Sequence, residues 1–313
     1  KFLVESGADI HADNDGALTR ASKYGRLGVI KFLVQGGADA CAEGSRALMC
    51  ASCGSHAGFM VPEHCHLEVV QFLVQSGANI HAGGAHALKE ALKRGYLEVA
   101  KFLVQSGADV HAEGGDEALS LASSRNRLDI VELLIGSGAD VHAKDDKALK
   151  WASACGHLEV VKFLIGVGAD VHAEGVKALE RAFENGHLEV AKFLVKSGAD
   201  VRTREGDKIL GLASSRNRLD IVELLIGSGA DVHAEGDEAL IRASENGHLD
   251  VVEFLIENGA DVHAEGDEAL IRASENGHLD VVEFLISNRA DIHALHDDAL
   301  TWVLRNGHSV VIF

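Results

Sequence analysis

Cysteine and histidine are concentrated in one irregular stretch of this 313-residue chain. Cys50 and Cys53 stand three residues apart, and His64 and Cys65 follow in the same stretch. Two thiolates one helical turn apart, closed by a second Cys/His pair, suit the tetrahedral coordination of Zn²⁺. The spacing matches no standard zinc finger, so the competing interpretation is a plain surface loop that binds no metal.

Histidine also recurs at one position along the chain. Aligned histidines predict either a ladder that binds metal or responds to pH, or a structural hydrogen bond from repeat to repeat. The structural bond is the favoured interpretation. Arg202 and Cys41 replace the histidine without visible compensation. The recurring residues are His11, His81, His111, His142, His172, His233, His263 and His293.

The sequence carries no motif of a catalytic site. It has no phosphate-binding glycine motif, no nucleophile elbow and no H-E-x-x-H pattern. Carboxylates and histidines repeat too evenly to mark a single pocket. We therefore expect no enzymatic activity and no cofactor.

The elements that must position these side chains are repeated about ten times. Successive loop glycines are 30 or 31 residues apart, apart from one interval of 40 that predicts an insert at about 54–65. Self-similarity at a fixed period predicts a solenoid in which each unit packs only on its neighbours. The loop positions are Gly7, Gly37, Gly77, Gly107, Gly138, Gly168, Gly198, Gly229 and Gly259, with Arg289 in the tenth place.

Each unit is predicted to contain two short helices. In one of the most regular units, Asp237 is predicted to cap the first helix, and Gly247 to end it in a left-handed conformation. The apolar stripe of residues 249–256 predicts the second helix, which Gly259 ends in the same way. Small residues on the first helix predict close packing between neighbouring units.

The segment N-G-H-L-D-V-V-E-F-L-I-E-N-G-A-D-V-H-A, at residues 246–264, resembles the ankyrin repeat. The resemblance covers almost the whole chain. It implies an all-α ankyrin-repeat solenoid of about ten helix-turn-helix units, as a single array over residues 1–313 whose first and last units are incomplete. Most units are three residues shorter than the family's usual repeat, and Glu238-Ala-Leu-Ile241 replaces T-P-L-H, so shortened hairpin loops are expected. In this respect the repeats are similar to ankyrin proteins of giant amoebal DNA viruses.

The resemblance also implies a non-enzymatic scaffold that binds a protein partner through the concave surface of first helices and loops. Tryptophan and arginine at such positions are favoured at interfaces, although a tryptophan there can instead cover the neighbouring repeat. Transferred position by position, the resemblance singles out Tyr24, Lys93, Arg94, Arg125, Trp151, Arg181, Arg242, Arg272 and Trp302.

Composition limits the partners and the location. A formal net charge of −19 argues against nucleic acid, and the absence of eighteen consecutive apolar residues argues against a membrane span. Five irregularly spaced cysteines fit a reducing, intracellular compartment, namely the cytoplasm, or the host cytoplasm for a viral protein. Both termini fall inside predicted second helices, which indicates a piece of a longer array. Head-to-tail self-association is the structural alternative.

Overall fold

The computed structural model describes residues 7–54, 63–111, 113–174 and 176–293. Across these ranges the chain forms a helical repeat solenoid with eighteen helices and no strands. None of the described helices has the length and apolar character needed to cross a membrane. The chain divides after Asp170 into two compact units, called here the first and the second unit.

Each repeat contributes a first helix with an odd number and a second helix with an even number. In the first unit the helices are α1 (Ala12–Lys23), α2 (Leu27–Gln35), α3 (Ala42–Cys53), α4 (Glu63–Gln75), α5 (Ile80–Arg94), α6 (Leu97–Gln105), α7 (Glu113–Ser124), α8 (Leu128–Gly136), α9 (Ala143–Ala154) and α10 (Leu158–Gly166). In the second unit they are α11 (Lys177–Glu184), α12 (Leu188–Lys196), α13 (Arg204–Ser215), α14 (Leu219–Gly227), α15 (Ala234–Glu245), α16 (Leu249–Glu257), α17 (Ala264–Asn276) and α18 (Leu279–Ser287).

Small and apolar residues hold the repeats together. Within each unit, first helices pack on the first helices of adjacent repeats, and second helices pack on second helices. On α15, Leu240 and Ala243 are fully buried, as the predicted small-residue face requires, and Val252 and Leu255 of the adjoining α16 are fully buried as well. Burial of this kind contributes about 25 cal/mol for each Å² of apolar surface removed from water.

Glycines end the helices as predicted. Gly247 has φ +70° and Gly259 has φ +102°, a region that side chains rarely adopt. Space is a second constraint on Gly247, because an added Cβ atom would lie 2.4 Å from Nδ1 of His278 in the next repeat. Any larger residue at this position would be both strained and crowded.

The start of the first helices differs from the prediction. Glu235, Gly236 and Asp237 have φ of 51°, 70° and 59°, so one left-handed turn precedes the right-handed part of α15. The carboxylate of Asp237 caps nothing in its own helix. It is buried and accepts the backbone N–H of Asp261 in the following repeat, at 2.9 Å. The same turn occurs at residues 13–15, 144–146 and 265–267.

This turn does not precede every described first helix. The repeat that runs from Gly198 to Gly229 is one residue longer, and its first helix starts conventionally. Thr203 is extended there, and its hydroxyl accepts the N–H of Gly206 at 3.2 Å. Length alone does not decide the start, because the repeat from Gly77 to Gly107 has 30 residues and Asn79 caps its first helix with no left-handed turn before it.

The last residues of the predicted insert are helical. Helix α4 begins at Glu63 and therefore already contains part of the stretch expected to be loop, while residues 55–62 lie outside the described residues. The carboxylate of Glu63 accepts the N–H of Glu98 at 2.8 Å. The extra helical turn therefore satisfies a free N–H at the start of α6.

Candidate functional site

Surface grooves lie along the first helices within each unit. We call the groove-bearing surface of the first helices, in either unit, the first-helix face. In the first unit, a groove of 300 Å³ spans α5, α7 and α9, and we call it the Trp151 groove. Trp151 is 41% exposed there, although tryptophan tends to be largely buried in folded proteins. The lining residues are Lys93, Glu117, Ser120, Leu121, Ser124, Lys147 and Trp151.

Lysine side chains border the Trp151 groove. Lys93 pairs with Glu90 at 3.0 Å. Glu117 is bound by Lys89, and this hydrogen bond holds the pKa of Glu117 below its usual value. Lys147 adds a further positive charge near Glu117. The groove therefore combines an aromatic surface with a basic border.

The second unit has a larger groove, of 520 Å³, across α13, α15 and α17, which we call the Arg272 groove. Each arginine in it pairs with the glutamate four residues earlier, Arg242 with Glu238 at 2.6 Å and Arg272 with Glu268 at 2.8 Å. Four glutamates and two arginines line this groove, so acidic groups outnumber basic ones. Its lining residues are Ser215, Glu238, Ile241, Arg242, Glu245, Glu265, Glu268 and Arg272.

The structure brings together only some of the predicted binding residues. Lys93 and Trp151 share one groove, and Arg125 is adjacent because its guanidinium donates to the carbonyl of Lys93 at 3.2 Å. Arg242 and Arg272 share the other. The remaining predicted residues line neither groove. They are Tyr24, which is 41% exposed, Arg94, the half-buried Arg181, and Trp302, which lies outside the described residues.

Sequence reasoning missed the residues one helical turn before the chosen ones. Lys147 lies four residues before Trp151, and Glu238 four residues before Arg242, so each pair shares a helix face. Including the residue one helical turn before each predicted position would have identified both Lys147 and Glu238.

Charged side chains at the second helices form ion pairs with one another. On the first unit, Asp129 receives hydrogen bonds from Arg127 at 2.9 Å and pairs with Lys101 of the preceding repeat at 3.0 Å. The bond from Arg127 is the main cause that lowers the pKa of Asp129 to about 2. Asp220 in the second unit has the equivalent partners Arg218 and Lys192. This surface offers an approaching partner fewer free charges than its composition suggests.

The sequence predicts that the recurring histidines form hydrogen bonds from repeat to repeat. Where the structure shows the bonds of these side chains, this prediction is wrong. Nδ1 of His142 lies 3.3 Å from a carboxylate oxygen of Asp146 in the same repeat. Asp146 then accepts the N–H of Asp170 at 2.8 Å, so the aspartate links the repeats. A different histidine, His157 at the start of a second helix, bonds the Ser124 carbonyl of the preceding repeat at 3.0 Å.

One replacement of the recurring histidine is compensated after all. Cys41 stands in the histidine position, and its thiol donates to the Gly77 carbonyl at 2.7 Å. Ser45 takes the place of the aspartate, and its hydroxyl accepts the N–H of Asn79, also at 2.7 Å. The two substitutions together preserve a link between these repeats.

The proposed zinc ligands lie at the end of α3 and the start of α4. Cys50 and Cys53 are half-buried, His64 is exposed, and the Cys65 side chain is outside the described part of the chain. Among the described side chains, no three histidine, cysteine or acidic groups come close enough together to hold a metal ion. A hydrogen bond between the two thiols lowers the pKa of Cys53 to about 7 and raises that of Cys50. The zinc site remains a prediction.

Comparisons with known proteins identify the repeats. A family model described as ankyrin repeats (3 copies) matches residues 1–82, 119–205 and 209–296, and a second model, described as ankyrin repeats (many copies), matches 88–135. No curated protein matches. One similar solved structure is a predatory endopeptidase from Bdellovibrio bacteriovorus in complex with an immunity protein. It is 26% identical, with a TM-score of 0.47, over 55% of this chain and 98% of that chain.

Proposed function

We propose that this chain, which belongs to the ankyrin repeat family, is a non-enzymatic scaffold that binds a protein partner through its first-helix face. The observation that carries the proposal is Trp151, which is 41% exposed and lines a groove beside Lys93 and Lys147. Tryptophan in a groove that a partner can desolvate is typical of residues that dominate binding energy.

The charges of the two grooves favour different partner segments. The Trp151 groove, with its lysines, suits a segment that carries a carboxylate beside an apolar side chain. The Arg272 groove is the more acidic and suits a segment with lysine or arginine. Complementary charge of this kind contributes mainly to specificity and association rate.

Binding of proteins from a cell lysate, compared between wild type and Trp151→Ala, tests the proposal. Proteins that depend on the Trp151 groove are identified by mass spectrometry, and their dissociation constants are then measured with the purified partner. We expect Trp151→Ala to weaken binding by about 30-fold, because truncation of an interface hot spot costs about 2 kcal/mol.

Val29→Ala is the matched control. Val29 lies on the second helix α2 and is 50% exposed, so its truncation also removes an exposed apolar group, away from the first-helix face. Circular dichroism should show unchanged helicity in both variants. Equal losses of affinity in the two variants would contradict the assignment to the first-helix face.

Two alternatives to a partner-binding scaffold come from the sequence. Head-to-tail stacking depends on the terminal segments, and residues 1–6 and 294–313 lie outside the described residues. Light scattering over a wide concentration range tests it, because stacking predicts a mass that grows with concentration. A metal-binding function would require stoichiometric zinc bound through Cys50 and Cys53. An intracellular location and a viral origin remain expectations from the sequence.

A further inference from the structure

The Trp151 groove has a counterpart in the second unit, because part of the sequence occurs twice. Residues 121–143 recur unchanged as residues 212–234. The two copies include the ends of α7 and α13, where Leu121 and Leu212 are equivalent. A groove of 190 Å³ contains Leu212, and we call it the Lys208 groove because Lys208 also lines it. The two grooves therefore share a framework and can be compared residue by residue.

The charges of the two grooves are reversed at equivalent positions. Where the Trp151 groove has a lysine, the second unit has a glutamate, and where it has a glutamate, the second unit has a lysine. The tryptophan is replaced by arginine. Lys93, Glu117, Lys147 and Trp151 correspond in this order to Glu184, Lys208, Glu238 and Arg242. A segment that fits one groove by its charge is therefore unsuited to the other.

The Trp151 groove presents a net positive charge. Its carboxylate, that of Glu117, is already bound by Lys89. Lys147 is half-buried and forms no ion pair with any of the described residues. The pair of Lys93 with Glu90 joins solvent-accessible side chains, so the carboxylate of a partner can replace Glu90 at little cost. Lys93 and Lys147 are therefore available to anionic groups.

Apolar contact in the groove comes from two side chains of neighbouring repeats. Leu121 and Trp151 each stand directly before the Ala-Ser pair of their first helix, on α7 and α9, and these helices pack on each other. Leu121 is half-buried and Trp151 is exposed. In the repeat before them, the charged residue Glu90 holds the same position. One apolar side chain of a partner can therefore cover this pair and remove it from water.

We propose that the Trp151 groove binds an extended, acidic segment of the protein partner, in which an apolar side chain lies between two carboxylates. The apolar side chain covers Leu121 and Trp151, one carboxylate pairs with Lys147, and the other pairs with Lys93. This inference rests on the proposed function, which assigns partner binding to the first-helix face, and it adds the chemistry and the order of the bound side chains. Charge complementarity selects this occupant, because a basic segment would meet a lysine at both positions.

The spacing of the first helices sets the spacing of the two carboxylates. Lys93 lies on α5 and Lys147 on α9, and α7 packs between these helices. Axes of packed helices lie about 8–10 Å apart, so two steps separate the lysines by about 16–20 Å. An extended chain advances about 3.3 Å for each residue, so the carboxylates should be about six residues apart in the partner. The apolar residue should be nearer to the carboxylate that meets Lys147, because Trp151 shares α9 with Lys147.

Selection from a library of random peptides displayed on phage tests the inference, with the full chain and Trp151→Ala as parallel targets. We expect the peptides that bind wild type and not Trp151→Ala to carry an apolar residue between two acidic residues at about this spacing. A synthetic peptide of this pattern, labelled with fluorescein, should lose affinity by about tenfold on Lys147→Glu, because a like charge then faces its carboxylate. Lys93→Glu should give a similar loss. Both losses should shrink at high salt concentration.

Lys208→Glu is the matched control, because it makes the same change of charge in the equivalent groove of the second unit. It should leave the affinity for this peptide unchanged, and circular dichroism should show the same helicity in all three lysine variants. Trp151-dependent peptides that are basic or uncharged, or equal losses in Lys147→Glu and Lys208→Glu, would overturn the acidic segment and leave the proposed scaffold function standing. The absence of any Trp151-dependent peptide would contradict the proposed function as well.

Discussion

Two neighbouring repeats of the second unit begin their first helices in opposite ways. Before α13 the chain is extended and Thr203 caps the helix, whereas before α15 it makes a left-handed turn that ends at Asp237. The aspartates at equivalent positions then differ in role. Asp237 is buried and bonded to His233 and to the next repeat, while Asp207 is half-buried and its carboxylate has no hydrogen bond among the described residues.

The two repeats also differ by one residue in length. In the shorter repeat, His233 and Asp237 are four residues apart, and the left-handed turn brings the imidazole to the carboxylate. In the longer repeat, Arg202 and Asp207 are five apart, and Arg202 pairs with Asp200 instead. Left-handed residues other than glycine cost about 1–2 kcal/mol each. In this repeat the bonds of Asp237 to His233 and to the N–H of Asp261 offset part of this cost.

Asp237→Ala should have the largest effect of the changes considered, because it removes the acceptor of the Asp261 N–H. A partly buried donor left without an acceptor costs about 1–3 kcal/mol. Hydrogen exchange at the Asp261 amide measures the loss directly, and we expect exchange to accelerate by about 30-fold for a cost of 2 kcal/mol. Asp207→Ala is the matched control and should leave exchange at the Asp231 amide unchanged. Comparable acceleration in both repeats would remove the distinction between the two aspartates.

Glu235→Gly should stabilise the protein by about 1 kcal/mol, because glycine adopts the left-handed backbone found at φ 51° without penalty. Within the described residues, Glu235 forms an ion pair with Arg204 at 3.9 Å, and this pair joins exposed side chains and contributes little. The measurement is the urea concentration at the midpoint of unfolding.

Glu205→Gly is the control at the equivalent position of the longer repeat, inside the right-handed first turn of α13. Glycine there should destabilise the protein by about 0.5–1 kcal/mol. The two glycine substitutions are therefore expected to change the free energy of unfolding in opposite directions. Two shifts of the midpoint in the same direction would show that backbone handedness does not distinguish these repeats.

The repeat pattern predicted the fold because its signals are local. Each helix stop needs a glycine such as Gly247, and each buried face needs small and apolar side chains such as Leu240 and Ala243, all of which recur at fixed positions. The left-handed turn was missed because an aspartate before an apolar run is also the usual sign of an N-cap. The informative signal was the four-residue spacing of His233 and Asp237, which is absent from the longer repeats.

The candidate site was less predictable than the fold. Trp151 and Lys93 were found from their positions in the repeat, but a groove needs side chains from three successive first helices at once. The contribution of Glu117, from the helix between them, depends on its bond to Lys89 in the preceding repeat. Such a contact across repeats follows from packing and not from any one repeat's sequence.

The smallest predicted effect is on the pH dependence of stability, and it also separates the two aspartates. Burial is the main cause that raises the pKa of Asp207, and Asp231, Glu235 and Glu205 raise it further. As the pH rises from about 3.8, the ordinary pKa of an aspartate, the folded chain therefore binds more protons at Asp207 than the unfolded chain does. Stability must fall with rising pH across that window.

Asp207→Asn removes the carboxylate that causes this fall in stability. The variant should be more stable than wild type at pH 7, and the two stabilities should become similar at pH 3. Urea unfolding at several pH values measures the difference. Asp207→Glu keeps an ionisable group at this position and should retain the decline with pH. The contrary outcome is that the free energy of unfolding of Asp207→Asn differs from that of wild type by the same amount at every pH. That outcome would show that the charge of Asp207 does not distinguish this repeat from its neighbour.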